Sequence, residues 1–114
     1  MKRGDVYEVE LDPVLGKEQK GKRPVLIISP TAFNKKTGVP IVVPITNGGG
    51  YARENSFSVS LMGIGIKTTG VVLCNQPRSL DIKEKKGRKI ESVPSSIIEE
   101  VLAQIAPLFD PDIT

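Results

Sequence analysis

The stretch Arg23-Pro24-Val25-Leu26-Ile27-Ile28-Ser29-Pro30 decides how the rest of the sequence is interpreted. Its middle, residues 25–28, is an uninterrupted apolar run rich in β-branched side chains, which is typical of a central strand. Pro30 ends the run, because proline has no N–H to donate to a sheet ladder. The other elements are arranged around this strand.

Shorter strand patterns lie on both sides of the central run. Residues 7–11 alternate apolar and acidic side chains, which predicts a half-buried strand. Residues 34–38 are predicted as a turn, and residues 39–45 as a strand at a sheet edge or bulge, because Pro40 and Pro44 lack donors. Further short strands are predicted at residues 57–61, 70–74, 80–82 and 90–93.

The C-terminal segment changes to a helical period. Ile97, Val101 and Ile105 fall on one stripe, and Pro107 ends the helix. Many short strands followed by one helix favour a mainly β fold with some α structure, a small and strongly twisted β-barrel. The 114 residues contain no linker or repeat, so we expect a single domain over residues 1–114.

Charge is distributed unevenly along the chain. Lys and Arg number 16 against 13 Asp and Glu, and two basic clusters lie at residues 17–23 and 83–89. Runs of charge are often only solvated loops. Two such loops on a small domain raise the expectation of a polyanionic partner.

Cysteine usage and hydropathy indicate the compartment. Cys74 is the one cysteine, so no internal disulfide can form, and its apolar neighbours predict a buried thiol. The polar start lacks the apolar stretch of a secretory signal, and the apolar runs are too short to span a bilayer. We therefore expect a cytoplasmic protein without a membrane partner.

The residue types limit the chemistry. The chain has no histidine, which excludes Ser-His and Cys-His pairs and the usual zinc ligand. Its carboxylates show no metal-site spacing, and no cofactor motif is present, so neither a metal nor a cofactor is expected. RNA cleavage tolerates this limit, because RNA carries its own 2′-hydroxyl nucleophile and arginine can clamp the phosphate.

Three motifs, at residues 16–24, 43–46 and 70–76, resemble those of the MazF/PemK toxin ribonucleases. Gly16-Lys17-Glu18-Gln19-Lys20-Gly21-Lys22-Arg23-Pro24 resembles the G-x-E-Q-x-G-x-R-P loop of that family. Val43-Pro44-Ile45-Thr46 resembles its V-P-x-T segment, and Gly70-Val71-Val72 followed by Gln76 resembles its G-V-V-x-x-x-Q strand. The similarity covers essentially the whole chain, occurs in order, and is greatest to the PemK/Kid branch.

The resemblance implies an SH3-like barrel with a terminal helix that forms a homodimer. It implies a toxin of a type II toxin–antitoxin system, linked to plasmid maintenance and growth inhibition. Such a toxin cuts single-stranded RNA at short motifs without metal and leaves a 2′,3′-cyclic phosphate. The resemblance also implies a cognate antitoxin whose acidic, partly disordered segment occupies the RNA groove.

Matching positions assign the site residues. Arg23 matches the catalytic arginine, and we favour an electrostatic role on the phosphate because a guanidinium is a poor acid at neutral pH. Thr46 matches a threonine that contacts the scissile phosphate, and Glu18 is the carboxylate candidate for a base or an Arg23 orienter. RNA-binding candidates are Lys17, Gln19, Lys22, Asn47, Tyr51, Arg53, Asn75, Gln76 and Arg78.

Three positions depart from the PemK/Kid pattern. Lys17, Leu73 and Asn75 stand where that branch has a histidine, an arginine and an aspartate. Either Arg23 and Thr46 carry the reaction or turnover is slow. Two alternatives follow: an RNA binder without catalysis, and a toxin of related barrel fold that binds gyrase. The gyrase toxins use a C-terminal tryptophan segment, whereas this chain has no tryptophan.

Overall fold

An antiparallel sheet forms the frame of the computed structural model, which describes residues 1–10, 21–47 and 57–112. Among these residues the helices are α1 (Thr31–Thr37), α2 (Ser95–Ile105) and a 3-10 helix (Ala106–Phe109). Within the described residues the strands are β1 (Asp5–Glu10), β2 (Lys22–Ile27), β3 (Ile41–Thr46), β4 (Ser58–Ser60), β5 (Val71–Leu73), β6 (Arg78–Ser79) and β7 (Arg88–Ser92).

The strands β2 and β3 lie at the centre of this sheet. Its order is β4-β5-β3-β2-β1-β7, and β6 also pairs with β3. On the side away from β2, the beginning of β3 pairs with β6 and its end pairs with β5. Pro44 lies between the part of β3 that pairs with β6 and the part that pairs with β5. Because neither of these described ladders includes Pro44, its missing N–H breaks no hydrogen bond on that side. The expectation of an edge strand is therefore wrong, because a break between two partners accommodates the proline equally well.

Alternation along the central strands divides the buried side chains into two clusters. In β2, Leu26 faces the cluster beneath α2, the helix-side core, whereas Val25 and Ile27 face the opposite cluster, the cleft-side core. The cleft-side core consists of Val9, Val25, Ile27, Val42, Leu80 and Ile82. Because β2 is buried on both faces, its sequence is a continuous apolar run, and the predicted central strand is confirmed.

The helix α2 covers the helix-side core. Ile97, Val101 and Ile105 are buried, and Ile98 and Leu102 pack partly against the same cluster, so the predicted stripe is confirmed. Pro94 stands in extended conformation at the start, and the α-helix ends at Ile105. Across the described part of the chain, no helix combines the length and apolarity needed to cross a membrane.

Two local predictions are wrong. Residues 34–38 belong mostly to α1 and not to a simple turn, because buried Asn34 donates through Nδ2 to the carbonyls of Met1 (2.9 Å) and Ser29 (3.0 Å). The strand predicted at residues 80–82 lies instead at β6. Leu80 and Ile82 are buried in alternation like strand residues, but they lead into a turn.

Asp5 ties the start of β1 to β7. Its buried carboxylate accepts hydrogen bonds from the backbone N–H of Lys2 (2.9 Å) and the hydroxyl of Ser92 (2.8 Å), and Lys89 Nζ lies 3.5 Å away. Burial acts to raise the pKa of Asp5, but these hydrogen bonds and the lysine charge outweigh it and hold the pKa below its ordinary value of 3.8. The ionised form is therefore the one that stabilises the fold.

This depressed pKa predicts acid sensitivity. Asp5 contributes its full stabilisation above the unfolded-state pKa of 3.8 and loses it as the pH falls through the lower folded-state pKa. In urea unfolding, we expect Asp5→Asn to lower the free energy of unfolding by about 1–3 kcal/mol at about pH 7 and to flatten its decline below about pH 4. Glu8→Gln, at the exposed pair with Arg88, is the control and should cost less than about 1 kcal/mol. If the free energy of unfolding of the wild type falls no more steeply below about pH 4 than that of Asp5→Asn, the assignment is contradicted.

The burial of Cys74 predicts slow alkylation of its thiol. It is fully buried in the helix-side core, and burial together with the charge of Glu100 raises its thiol pKa from 9.0 to about 11. The raised thiol pKa alone slows alkylation about 100-fold at neutral pH, because only the thiolate reacts. We expect iodoacetamide to leave Cys74 unmodified in the native protein and to label it in denaturant, as read by mass spectrometry. Equal labelling under both conditions would show that the site is open.

Candidate active site

A cleft of about 460 Å³ opens on the face of the sheet that carries the cleft-side core. Arg23 on β2 and Thr46 on β3 both line it. The β2–β3 ladder pairs Val25 with Pro44, and continuing its register by two residues sets Arg23 opposite Thr46. Since strand side chains alternate, both residues belong to the face of Val25 and Val42. The sheet thus brings together two residues that are distant in sequence.

The segment after β5 forms the second wall of the cleft. Gln76, Pro77 and Arg78 line it, and the side chain of Leu80 links this wall to the cleft-side core. The turn that precedes the wall is held by a hydrogen bond from Gln76 N–H to the Leu73 carbonyl (3.3 Å). A polar amide and a cation therefore face the cleft on the side opposite β2.

The described lining of the cleft favours an anion. It contains the guanidinium groups of Arg23 and Arg78 and the hydroxyl of Thr46, and no carboxylate belongs to the described lining. A guanidinium offers a planar set of donors that matches two phosphate oxygens. Around it, Val25, Val42 and the prolines supply apolar walls that reduce competition from water.

A second groove, of about 560 Å³, adjoins the cleft at Thr46. Its other lining residues include Asn47, Met62, Ile66 and Thr69, and the Met62 side chain is 80% exposed. The groove is mostly apolar with scattered hydroxyl and amide groups. Because Thr46 lines both depressions, a long ligand in the cleft would continue into this groove.

A hydrogen-bonded chain fixes one wall of the groove to β7. Glu91 accepts bonds from the N–H groups of Lys67 (3.1 Å) and Thr68 (2.7 Å) and from the Thr68 hydroxyl (2.6 Å). Burial acts to raise the pKa of Glu91, but these bonds lower it below the ordinary carboxyl value. The next residue, Thr69, donates to Asn47 Oδ1 (3.2 Å) and so connects this wall to the end of β3.

Gly70 completes this connection through close backbone contact. It has a φ of +109°, and a Cβ at this position would lie 2.4 Å from the carbonyl oxygen of Thr46. Only glycine permits both the backbone conformation and the approach. The backbone of Thr46 is consequently held from the β5 side as well as by β2.

The structure places the predicted site residues in three groups. Arg23, Thr46, Gln76 and Arg78 line the cleft together, and Asn47 lines the adjoining groove. Lys22 is exposed at the start of β2, and Asn75 is exposed in the turn before Gln76 without lining the cleft. Lys17, Glu18, Gln19, Tyr51 and Arg53 lie outside the described residues.

The divergent position 73 is buried. Leu73 pairs with Ser58 across β4 and β5 and is 6% exposed. An apolar side chain here packs within the sheet and offers nothing to a phosphate. The cations that line the cleft are thus Arg23 and Arg78, in the part of the chain that the structure describes.

Sequence reasoning missed Thr68, Thr69 and Glu91 as parts of the site. The position of Thr69 directly before the G-V-V motif could have indicated it. Nothing in the sequence indicates Glu91, because its role depends on how the loop packs against β7. Within residues 1–10, 21–47 and 57–112, no group of three or more His, Cys, Asp or Glu side chains is arranged to hold a metal ion.

Comparisons with known proteins agree with this geometry. The family of PemK-like, MazF-like toxins of type II toxin–antitoxin systems matches residues 2–109. Endoribonuclease PemK of Escherichia coli is 52% identical over 108 residues, which cover 95% of this chain and 81% of that protein. Endoribonuclease toxin ChpB of Escherichia coli (strain K12) is 40% identical over 104 residues, which cover 90% of this chain and 89% of that protein.

Solved structures share the fold. The MazE–MazF structure (Form-II) from Deinococcus radiodurans superposes with a TM-score of 0.80 and 31% identity, covering 95% of this chain and 94% of that chain. This similarity confirms the twisted β-barrel with a C-terminal helix. The relatives' names confirm the predicted endoribonuclease toxin and do not favour the non-catalytic alternatives. The chain therefore belongs to the PemK-like, MazF-like family of toxins of type II toxin–antitoxin systems.

Proposed function

We propose that this endoribonuclease cuts single-stranded RNA at short motifs in the cleft between Arg23, Thr46 and Arg78, without a metal ion. The observation that carries the proposal is that Arg23 and Thr46, 23 positions apart in sequence, line one cleft from adjacent strands. A phosphate between them meets a guanidinium and a hydroxyl. The chain has no histidine, so the chemistry rests on positioning and charge.

The reaction is an intramolecular transesterification. The ribose 2′-oxygen attacks the adjacent phosphorus, a P–O2′ bond forms, and the P–O5′ bond breaks. The departing O5′ takes up a proton from water as the 2′-hydroxyl gives one up, so the products are a 2′,3′-cyclic phosphate and a 5′-hydroxyl end. Arg23 stabilises the negative charge that accumulates on the non-bridging oxygens, and the cleft holds the nucleotide so that the attacking and leaving oxygens are in line.

The remaining roles follow from the chemistry of each group. The Thr46 hydroxyl donates a hydrogen bond to a phosphate oxygen, and Arg78 holds the backbone of the neighbouring nucleotide. Glu18, matched to the family loop beside Arg23, takes the 2′-hydroxyl proton or orients Arg23. Gln76 presents an amide that can pair with a base edge.

The same cleft suits an antitoxin. Among the structural neighbours are MazE–MazF complexes from Deinococcus radiodurans and a mycobacterial endoribonuclease with its cognate antitoxin. By analogy, an acidic and partly disordered segment of a cognate antitoxin would cover the basic cleft and exclude RNA. We further propose a cytoplasmic homodimer, as the family resemblance implies.

Replacing Arg23 tests the proposal. Purified protein is incubated in excess chelator with a uridine- and adenine-containing single-stranded RNA, and the products are mapped by primer extension. We expect Arg23→Ala to reduce cleavage by about 10²–10³-fold, because it removes the main stabiliser of the developing charge. Arg23→Lys should recover only part of the rate, since an ammonium lacks the bidentate fork.

Lys35→Ala is the matched control for Arg23→Ala. Lys35 is an exposed cation on α1, away from the cleft, and its loss should leave the rate within about two-fold. RNA that stays intact with the wild-type protein, or cleavage unchanged by Arg23→Ala, would overturn the proposal. Binding of RNA with no turnover would select the non-catalytic alternative.

Thr46→Val predicts a smaller defect with a different signature. Valine keeps the shape of the side chain and removes the hydroxyl that we place on the phosphate. A hydrogen bond to a charged group is worth about 1.5–3 kcal/mol, so the rate should fall by about 10- to 100-fold. Thr46→Ser should retain most of the activity under single-turnover conditions. Equal rates for Thr46→Val and wild type would remove Thr46 from the mechanism.

A further inference from the structure

A cluster of lysines lies on the turn between β6 and β7. Residues 81–87, here called the basic turn, carry Lys83, Lys85 and Lys86, and Arg88 and Lys89 follow directly on β7. Lys83 and Lys86 are exposed. The roles proposed above for the cleft do not use these side chains.

The basic turn is a built structure with a fixed shape. The N–H groups of Lys85, Lys86 and Gly87 donate to the carbonyls of Asp81 (3.1 Å), Lys83 (3.0 Å) and Ile82 (2.8 Å). The Asp81 carboxylate accepts a hydrogen bond from Glu84 N–H (3.0 Å). Lys86 adopts a φ of +53°, an uncommon conformation for a residue other than glycine. The lysines are therefore presented from a defined backbone.

The turn packs on the sheet face that carries Arg23. Ile82 is buried in the cleft-side core, and a Cβ on Gly87 would lie 3.2 Å from Val9 Cγ1. Val9 is the cross-strand partner of Arg23 in the β1–β2 ladder. Directly paired side chains are about 5 Å apart, so one residue, Val9, separates Arg23 from the turn.

A backbone contact fixes the turn at the same end of the sheet. Glu10 N–H donates to the Lys85 carbonyl (2.9 Å), and Glu10 pairs with Lys22 across β1 and β2. Arg23 lies on the cleft face of β2 beside this turn, whereas Lys22, the partner of Glu10, lies on the opposite face. The lysines of α1 lie at the other end of these strands, where Ile28 N–H donates to the Ile41 carbonyl.

Acidic side chains offset part of the charge of the basic turn and of the start of β7, and two of them, Asp81 and Glu84, are exposed on the turn itself. Arg88 pairs with Glu8 (3.1 Å) and Lys89 lies 3.5 Å from Asp5. Lys83 and Lys86 take part in no ion pair with any of the residues that the structure describes. Among the described residues, these two ammonium groups beside the cleft have no carboxylate in an ion pair with them.

We propose that the basic turn is an auxiliary RNA-binding site, in which Lys83 and Lys86 contact backbone phosphates of nucleotides outside the scissile step. This inference rests on the proposed function of the cleft and extends it. Flexible ammonium groups suit phosphates as point charges and read no sequence. The site adds affinity for longer RNA and leaves the chemistry at Arg23 unchanged.

The surface fits nucleic acid better than a protein partner. Protein interfaces depend on aromatic or large apolar anchors in their centre. The large apolar side chains that are exposed in the described residues, Met1, Phe33, Met62, Leu108 and Phe109, all lie outside the basic turn. A rim of lysines without an apolar centre is typical of a phosphate-tracking surface.

Salt-dependent binding tests the inference without requiring cleavage. The probes are 2′-O-methylated oligonucleotides of about 4 and about 12 nucleotides, which cannot supply the nucleophile, and binding is followed by fluorescence anisotropy from about 50 to 200 mM salt. For the longer probe, Lys83→Gln/Lys86→Gln should reduce the slope of log K against log salt by about 1.4, since each single-strand phosphate contributes about 0.7. Its affinity at about 0.1 M salt should fall by about 5- to 25-fold, whereas binding of the shorter probe should hardly change.

Lys35→Gln/Lys36→Gln removes the same charge from exposed positions on α1 and is the matched control. An unchanged slope for Lys83→Gln/Lys86→Gln, or an equal change in the control, would overturn the inference. Unchanged RNA binding with weaker binding to polyglutamate would assign the surface to an acidic protein partner and would equally overturn it. Failure of the proposed function is separate, since it appears as wild-type protein that does not cut unmodified RNA.

Discussion

The register between β2 and β3 is the constraint on which the site depends. It pairs Val25 with Pro44 and, by its period of two, puts Arg23 and Thr46 on the face opposite α2. A slip of one residue would exchange the faces of every side chain on β2 and direct Arg23 toward the helix-side core. Leu26 is buried on one face and Ile27 on the other. A slip in either direction would place each of these large apolar side chains on the wrong face, which opposes the slip. The core therefore specifies the cleft.

The cleft itself follows from how β3 changes partners. β6 pairs with the beginning of β3 and β5 with its end, so Pro44 lies where neither contributes a described ladder contact. The wall that contains Gln76 and Arg78 connects these two partner strands and borders the opening. A proline that would disrupt a continuous sheet is instead placed at the mouth of a cavity. The glycine contact at Thr46 and the Glu91 network then fix the neighbouring groove.

Local sequence pattern predicted the parts of the fold that depend on local burial. The apolar run of β2, the helical stripe of α2 and the buried Cys74 are set by the period and composition of their own segments. The helix α1 was missed because Asn34 is held by the carbonyl of Met1, 33 residues away, which no window of sequence contains. In the site, sequence motifs identified Arg23 and Thr46. Glu91 was missed because it binds a loop 23 residues earlier in the chain, a contact that no local pattern shows. Contacts of this kind exist only once the sheet has formed.

The close approach of Gly70 to Thr46 has a consequence for how toxicity can be attenuated. A side chain at position 70 would press on the carbonyl of the residue that we place at the phosphate, and the φ of +109° would strain that side chain as well. Loss-of-function variants selected from a growing population need not cluster among the reacting groups. A single added methyl group at this glycine would act from behind the cleft, by displacing the backbone that carries the Thr46 hydroxyl.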